Sequence, residues 1–104
     1  MASSPVILIT GANTGLGFET IKALYRSSNP YTILLGGRSI QKAQDAIQLA
    51  KSEIENSPSS LTAIQVDIED DHSISKAFDE VSTKYGRVDV LINNAGEISK
   101  HLYH

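Results

Sequence analysis

Three glycines lie close together near the start of the chain, in a segment that can hold a phosphate group. This segment, Thr10–Gly17 with sequence TGANTGLG, follows the apolar run Val6–Ile9. Glycine tolerates positive φ and lets ligand oxygens approach the main chain, and the amide groups at a helix start favour an anion. The spacing is G-x-x-x-G-x-G, and no lysine follows as in a Walker loop. A strand before it and a helix after it favour a pyrophosphate site; the alternative is a turn that serves only close packing of helix against strand.

Arg38 is the second residue whose position suggests chemistry. It follows Leu35-Gly36-Gly37 at the end of the second apolar run, where no carboxylate is found. An acidic residue about 20 residues past the glycine segment would bind the ribose hydroxyls of NAD. An arginine instead forms charge-assisted hydrogen bonds with a 2′-phosphate, and Gly37 leaves room for that group. The sequence therefore predicts NADP rather than NAD, with a solvated surface arginine as the alternative.

The elements that position these groups are predicted to be strands alternating with helices. Continuous β-branched runs indicate buried strands, and apolar residues at helical spacing indicate helices. The predicted strands are Val6–Ile9, Tyr31–Leu35, Leu61–Val66 and Val88–Ile92. The predicted helices carry their apolar stripes within Phe18–Tyr25, Ile40–Ile54 and Ile74–Tyr85.

Short polar residues and glycines mark the ends of these elements. Ser39 is expected to cap the second helix, and Asp70 or Asp71 the third. The Gly36-Gly37 pair is expected to end the second strand, and Gly86 the third helix. Because crossovers that contain a helix join parallel strands with right-handed connections, the predicted fold is α/β, with helices covering a parallel sheet.

The composition excludes several classes of protein. A chain of 104 residues is expected to form one small domain. Nine basic and 12 acidic side chains, with no basic cluster, indicate neither a nucleic-acid partner nor a membrane partner. The absence of cysteine excludes a disulfide, a thiolate zinc site and a cysteine nucleophile, and the three histidines are too scattered for a metal site. The apolar runs are far shorter than the ~20 residues of a membrane-spanning helix, so a cytoplasmic location is expected by default.

Three motifs, taken in order, resemble those of the short-chain dehydrogenase/reductase family. They are the Thr10–Gly17 segment after the first strand, Asp67 after the third, and Asn93–Gly96 after the fourth. The Gly37-Arg38 pair resembles the NADP-preferring members. The resemblance covers residues 6–96 and implies a Rossmann-like doubly wound parallel sheet, truncated after the fourth strand, with strand order 3-2-1-4. Residues 97–104 are expected to form an irregular tail.

The resemblance implies a role for each matching residue in binding NADP. The pyrophosphate and the nicotinamide ribose would be lined by Gly11, Asn13, Gly15, Leu16 and Gly17. Arg38 would bind the 2′-phosphate, and Asp67 would accept a hydrogen bond from the adenine amino group, with Ile68 beside the base. The adenosine ribose would lie along Asn93, Asn94 and Ala95, and Gly96 would permit close approach of the cofactor. Considered alone, Asp67 and the two asparagines are also typical of residues that satisfy loop backbone.

The catalytic residues that the resemblance implies have no matching positions in this sequence. They are a serine, a supporting asparagine and a Tyr-x-x-x-Lys pair, all beyond the Asn-Asn-Ala-Gly motif. In the family the tyrosine acts as general acid or base while hydride moves between nicotinamide and a carbonyl or alcohol carbon. Beyond Gly96 the sequence contains Ser99, Lys100 and Tyr103, but in the wrong order. No catalytic residue is therefore assigned, and the isolated chain is expected to be inactive.

Three functions remain compatible with the sequence. The first is the cofactor-binding half of an NADP-dependent oxidoreductase that interconverts carbonyls and secondary alcohols. The second is a truncated non-catalytic nucleotide-binding or interaction protein, and the third is a remnant without a ligand. In each case the fourth strand would form an apolar edge of the sheet with few charges. We therefore expect low stability, aggregation or pairing with another chain through this strand.

Overall fold

The structure is a computed structural model that describes residues 4–11, 15–67 and 69–93, with the backbone alone for Leu16 and Asn93. Strands and helices alternate along these residues, as predicted. The strands are β1 (Val6–Thr10), β2 (Thr32–Gly37), β3 (Ser60–Gln65) and β4 (Val90–Asn93). The helices are α1 (Gly15–Arg26), α2 (Ile40–Glu53) and α3 (Asp71–Tyr85). The tail predicted for residues 97–104 lies outside the described residues.

The strands form one parallel sheet in the order β3-β2-β1-β4, which confirms the predicted topology. β1 lies at its centre, and all five residues of β1 are buried. Apolar side chains of β1 and β2 alternate between the two faces of the sheet, as strands covered on both sides require. β4 pairs with β1, and no other described residue pairs with its far side.

The two faces of the sheet are covered by different helices. α1 and α2 cover one face, where Ile21 and Ala50 pack with Ile9 and Ile33. α3 covers the other face, where Val81 packs with Leu8 and Leu34. Lys22 also links α1 to α2, since its Nζ lies 3.2 Å from Glu53 Oε1. No helix among the described residues is long and apolar enough to cross a membrane.

The predicted helix ends are confirmed by hydrogen bonds. Ser39 Oγ accepts a hydrogen bond from the Lys42 amide at 3.2 Å and caps α2. Of the two aspartates considered for α3, Asp70 is the cap, because its Oδ1 accepts from the His72 amide at 3.0 Å. Gly86 ends α3 at φ +84°, a left-handed conformation that glycine adopts without strain.

The strand bounds differ from the sequence-based prediction by one or two residues, and the two-residue differences are at the end of β2 and the start of β4. β2 does not stop before Gly36-Gly37, because both residues remain paired with β3. β4 begins at Val90 rather than Val88; Val88 instead packs against the cluster beneath α3. Ile40, which was expected in the apolar stripe of α2, is 38% exposed because it is the first residue of the helix.

Candidate functional site

The predicted site residues that the structure describes lie at one edge of the sheet, where the parallel strands end. Thr10, the last residue of β1, is aligned with Gly36 of β2 and with Asn93 of β4. Gly37 of β2 is aligned with Gln65 of β3. The glycine segment, Arg38 and Asp67 therefore leave the sheet at the same edge, which is the edge where open α/β sheets bind ligands. We call this the carboxyl edge.

Hydrogen bonds tie the segments that leave the carboxyl edge to one another. The Gly11 amide donates to the Gly36 carbonyl at 3.1 Å, and the Val66 amide donates to the Gly37 carbonyl at 2.9 Å. The side-chain amide of Gln65, the last residue of β3, donates to the Arg38 carbonyl at 3.3 Å. The backbone of Arg38 is therefore held by a side chain of β3 as well as by its connection to β2.

Gly15, at the start of α1, has open space beside it. Gly11 has φ +65° and Gly15 has φ +59°, conformations that L side chains rarely adopt. A Cβ atom placed on Gly15 would meet no heavy atom within 4 Å, so the space beside this exposed residue can accept a ligand. The first turn of α1 contains no acidic side chain, and its amide groups favour an anion there.

Five predicted site residues lie outside the described residues, namely Asn13, Ile68, Asn94, Ala95 and Gly96. Gly17 is buried in α1. Asn93 ends β4 at the carboxyl edge.

Arg38 is an exposed cation at the carboxyl edge. The ion pairs found among the described residues involve Lys22 and Arg87, and none involves Arg38. The neighbouring first turn of α2 carries no acidic side chain. A Cβ on Gly37 would lie 3.8 Å from both Ala43 Cβ and Ser39 O, an ordinary van der Waals distance. With an exposed guanidinium and no carboxylate in the first turn of α2, this region can bind an anion.

Asp67 lies in the turn between β3 and α3, and much of it is held by local hydrogen bonds. Its Oδ1 accepts from the Glu69 amide at 3.0 Å, and its carbonyl accepts from the Asp70 amide at 3.0 Å. Its own amide donates to Ser73 Oγ at 2.8 Å. Asp67 is thus a turn residue, as one interpretation of the sequence held, while its Oδ2 has no hydrogen-bond partner among the described residues. Sequence reasoning missed Ser73, although a hydroxyl in the first turn of a helix is a known partner for backbone amides.

The described tyrosines lie away from this edge. Tyr25 stands near the end of α1, Tyr31 directly precedes β2, and Tyr85 ends α3. In this topology helices end and strands begin at the opposite edge of the sheet. Among the described residues, no group of three His, Cys, Asp or Glu side chains is placed to hold a metal ion. The described part of the carboxyl edge therefore offers groups for binding a phosphorylated ligand, and no tyrosine for proton transfer.

Comparison with known proteins gives one consistent family. The short chain dehydrogenase family model matches residues 5–103. The short-chain dehydrogenase/reductase tropE of Talaromyces stipitatus is 42% identical over 96 residues, which cover 92% of this chain and 36% of the relative. Because other curated relatives are covered to a similar extent, the chain spans about a third of their length.

Solved structures agree with this family in fold. The menthone neomenthol reductase of Mentha piperita has 31% sequence identity and a TM-score of 0.79, over 92% of this chain and 33% of that protein. The N-domain of a bacterial malonyl-CoA reductase, solved with NADP, has 29% identity and a TM-score of 0.79, over 91% of this chain and 17% of that one. Because the family model matches residues 5–103, which is nearly the whole sequence, the chain belongs to the short chain dehydrogenase family.

Proposed function

We propose that this chain is the NADP-binding part of a short-chain reductase that interconverts a carbonyl and a secondary alcohol. The observation that carries the proposal is the exposed Arg38 at the end of β2, next to Gly37, in a position where an NAD-binding protein would have a carboxylate. When bound, NADP supplies or accepts the hydride. The residues of this chain bind and orient it.

The pyrophosphate would lie on the glycine segment. The open space beside Gly15 and the absence of a carboxylate in the first turn of α1 support this placement. Amide groups at the start of α1 would donate to phosphate oxygens, and the positive end of the helix dipole would stabilise their charge. Gly11 also has a positive φ, which allows the bend of the chain directly after β1.

The 2′-phosphate would bind between Arg38 and the start of α2. A guanidinium forms paired, charge-assisted hydrogen bonds with phosphate oxygens. The backbone of Arg38 is already held by the Gln65 side chain, so less conformational freedom is lost on binding. NAD lacks this phosphate and would gain nothing from Arg38, which is the basis of the proposed preference.

The adenosine would lie across the ends of β3 and β4. The local hydrogen bond from the Glu69 amide occupies only Oδ1 of Asp67. Its Oδ2 would therefore accept a hydrogen bond from the adenine amino group. Ile68, Asn94, Ala95 and Gly96 would complete this side together with Asn93, as the family motif implies. The NADP bound in the bacterial malonyl-CoA reductase N-domain supports a nicotinamide cofactor for this fold.

Titration with both cofactors tests the proposal. The dissociation constants of NADP and NAD are measured by calorimetry for the wild type, for Arg38→Ala, and for Arg26→Ala as the control. Arg26 is an exposed arginine at the far end of α1. We expect Arg38→Ala to weaken NADP binding about 10- to 100-fold, since a charged hydrogen bond contributes about 1.5–3 kcal/mol. NAD binding and the Arg26→Ala variant should be unchanged; equal affinity of the wild type for both cofactors would refute the proposal.

The second function considered from the sequence differs from the first only in turnover. A nucleotide-binding protein without turnover would have the same site. Oxidation of NADPH in the presence of a panel of ketones and aldehydes separates the two functions, because the second predicts NADP binding without any turnover.

A further inference from the structure

The turn between β3 and α3 is held to the helix by the side chain of Ser73. The bonds from the Glu69 and Asp70 amides to Asp67 are internal to the turn. The bond from the Asp67 amide to Ser73 Oγ, at 2.8 Å, instead reaches the third residue of α3 and is partly buried. A partly buried hydrogen bond to a helix residue holds backbone more firmly than a bond within an exposed turn.

This bond bears on the direction of the Asp67 carboxylate. The side chain and the amide of Asp67 share one Cα atom, so fixing the amide limits the rotation of the residue about its backbone. With Oδ1 held by the Glu69 amide, the remaining oxygen, Oδ2, has little freedom. Asp67 is half-buried, which makes a fixed carboxylate a stronger discriminator between ligands than a solvated one.

We propose that Ser73 is a positioning residue that directs Asp67 Oδ2 toward the exocyclic amino group of the nucleotide base and thereby sets selectivity for adenine. This inference rests on the proposed function. An amino group donates to the carboxylate, whereas the keto oxygen of hypoxanthine at the same position would face it with another acceptor. Ser73 itself does not contact the base; it acts through Asp67.

The test compares NADP with its hypoxanthine analogue, deamino-NADP, on the full 104-residue chain. The measured quantity is the ratio of the two dissociation constants, deamino-NADP over NADP. In the wild type we expect a ratio of roughly 10 to 100. In Ser73→Ala the ratio should fall about three- to tenfold, mainly through weaker NADP binding, because the carboxylate is no longer fixed.

Two further comparisons separate positioning from a general effect on folding. Ser73→Thr and Ser73→Val have side chains of the same shape, but only threonine keeps the hydroxyl; the ratio should stay near the wild-type value in the first and fall in the second. Ser75→Ala changes an exposed serine in the same helix and should leave the ratio unchanged. A partly unfolded variant weakens both affinities by the same factor, so its ratio does not move.

The outcomes distinguish the two proposals. If the wild type binds neither nucleotide, the proposed function fails, and this inference fails with it. If the wild type binds NADP and selects it over deamino-NADP, but Ser73→Ala and Ser73→Val keep the same ratio, the positioning role is wrong while NADP binding stands. A loss of the ratio in these two variants, with its retention in Ser73→Thr, supports the role of Ser73.

Discussion

Asp89 and Val6 are 83 positions apart, and two hydrogen bonds join them at the start of the central strand. Asp89 Oδ2 accepts from the Val6 amide at 2.7 Å, and the Asp89 amide donates to the Val6 carbonyl at 2.9 Å. Arg87 Nε donates to the same carboxylate oxygen at 2.8 Å. The carboxylate therefore closes the end of the ladder between β1 and β4, opposite the carboxyl edge.

This arrangement predicts a loss of stability in acid. The pKa of Asp89 lies below its ordinary value of 3.8, first because of the Val6 hydrogen bond and then because of Arg87. A carboxyl whose pKa is lower in the folded state stabilises the fold above its unfolded pKa, and this contribution is lost as the pH falls through the folded pKa. Asp89→Asn should therefore unfold at a lower urea concentration at pH 7. The difference from the wild type should shrink below about pH 4.

Urea unfolding followed by circular dichroism between pH 7 and pH 2 measures this difference. Asp79→Asn, at an exposed position on α3, is the control and should follow the wild type at pH 7. A gap between Asp89→Asn and the wild type that stays constant down to the lowest pH would show that the carboxylate charge has no such role.

The two adjacent glycines of β2 should respond differently to alanine. A Cβ on Gly36 would lie 2.8 Å from Val66 Cγ1 and 3.3 Å from the Ile9 carbonyl oxygen, whereas one on Gly37 makes only ordinary contacts. Gly36→Ala should cost about 1–3 kcal/mol through overpacking, and Gly37→Ala should be neutral or slightly stabilising, by up to about 1 kcal/mol. Adding Val66→Ala to Gly36→Ala should relieve part of the clash, so the double mutant would be less unstable than the summed effects. Chemical denaturation measures the free energy of unfolding of Gly36→Ala, Gly37→Ala, Val66→Ala and the double mutant. Strictly additive effects of Gly36→Ala and Val66→Ala would contradict the contact between residues 36 and 66.

Gly15 and Gly86 provide a matched pair for testing the binding site. Both have positive φ, +59° and +84°, and neither has a heavy atom within 4 Å of an added Cβ. Alanine should therefore destabilise either position by a similar amount, about 1–2 kcal/mol, through backbone strain alone. Only Gly15 lies at the proposed pyrophosphate site, so only Gly15→Ala should weaken NADP binding once affinities are corrected for the folded fraction. Equal affinity of the two variants for NADP would show that Gly15 does not contribute to cofactor binding.

Local patterns predicted most of the fold, and the resemblance supplied the strand order. Ser39 and Gly86 act within a few residues of their own position, so their roles as helix ends follow from residue type alone. The need for glycine at position 36 does not follow from local patterns. It arises because the side chain of Val66, 30 positions later, leaves no room for a Cβ there. The same holds for the bond between Asp89 and Val6, which exists only once β1 and β4 are adjacent.

The sequence identified residues of the candidate site but not the contacts that hold them in place. Arg38 and Asp67 were identified from their places after strands, and the structure brings both to the carboxyl edge. Two hydrogen bonds hold these residues, one from Gln65 to the Arg38 carbonyl and one from the Asp67 amide to Ser73. Both depend on how the loops pack against neighbouring elements. Such side-chain to backbone bonds leave no periodic pattern in a sequence, so only the structure reveals them.

The free side of β4 leads to a prediction about self-association. Since the Asp89 amide bonds to Val6, alternation in a parallel ladder directs the backbone groups of Val90 and Ile92 to the side that no described residue covers. Val90 is 43% exposed, and an apolar edge with free backbone groups pairs with other chains. We expect the 11.2 kDa chain to sediment as concentration-dependent oligomers, and Val90→Lys to shift it toward monomer. Leu49→Lys, at an apolar residue of α2 that is 51% exposed, should leave the distribution unchanged; a wild type that stays monomeric at high concentration would rule out pairing through β4.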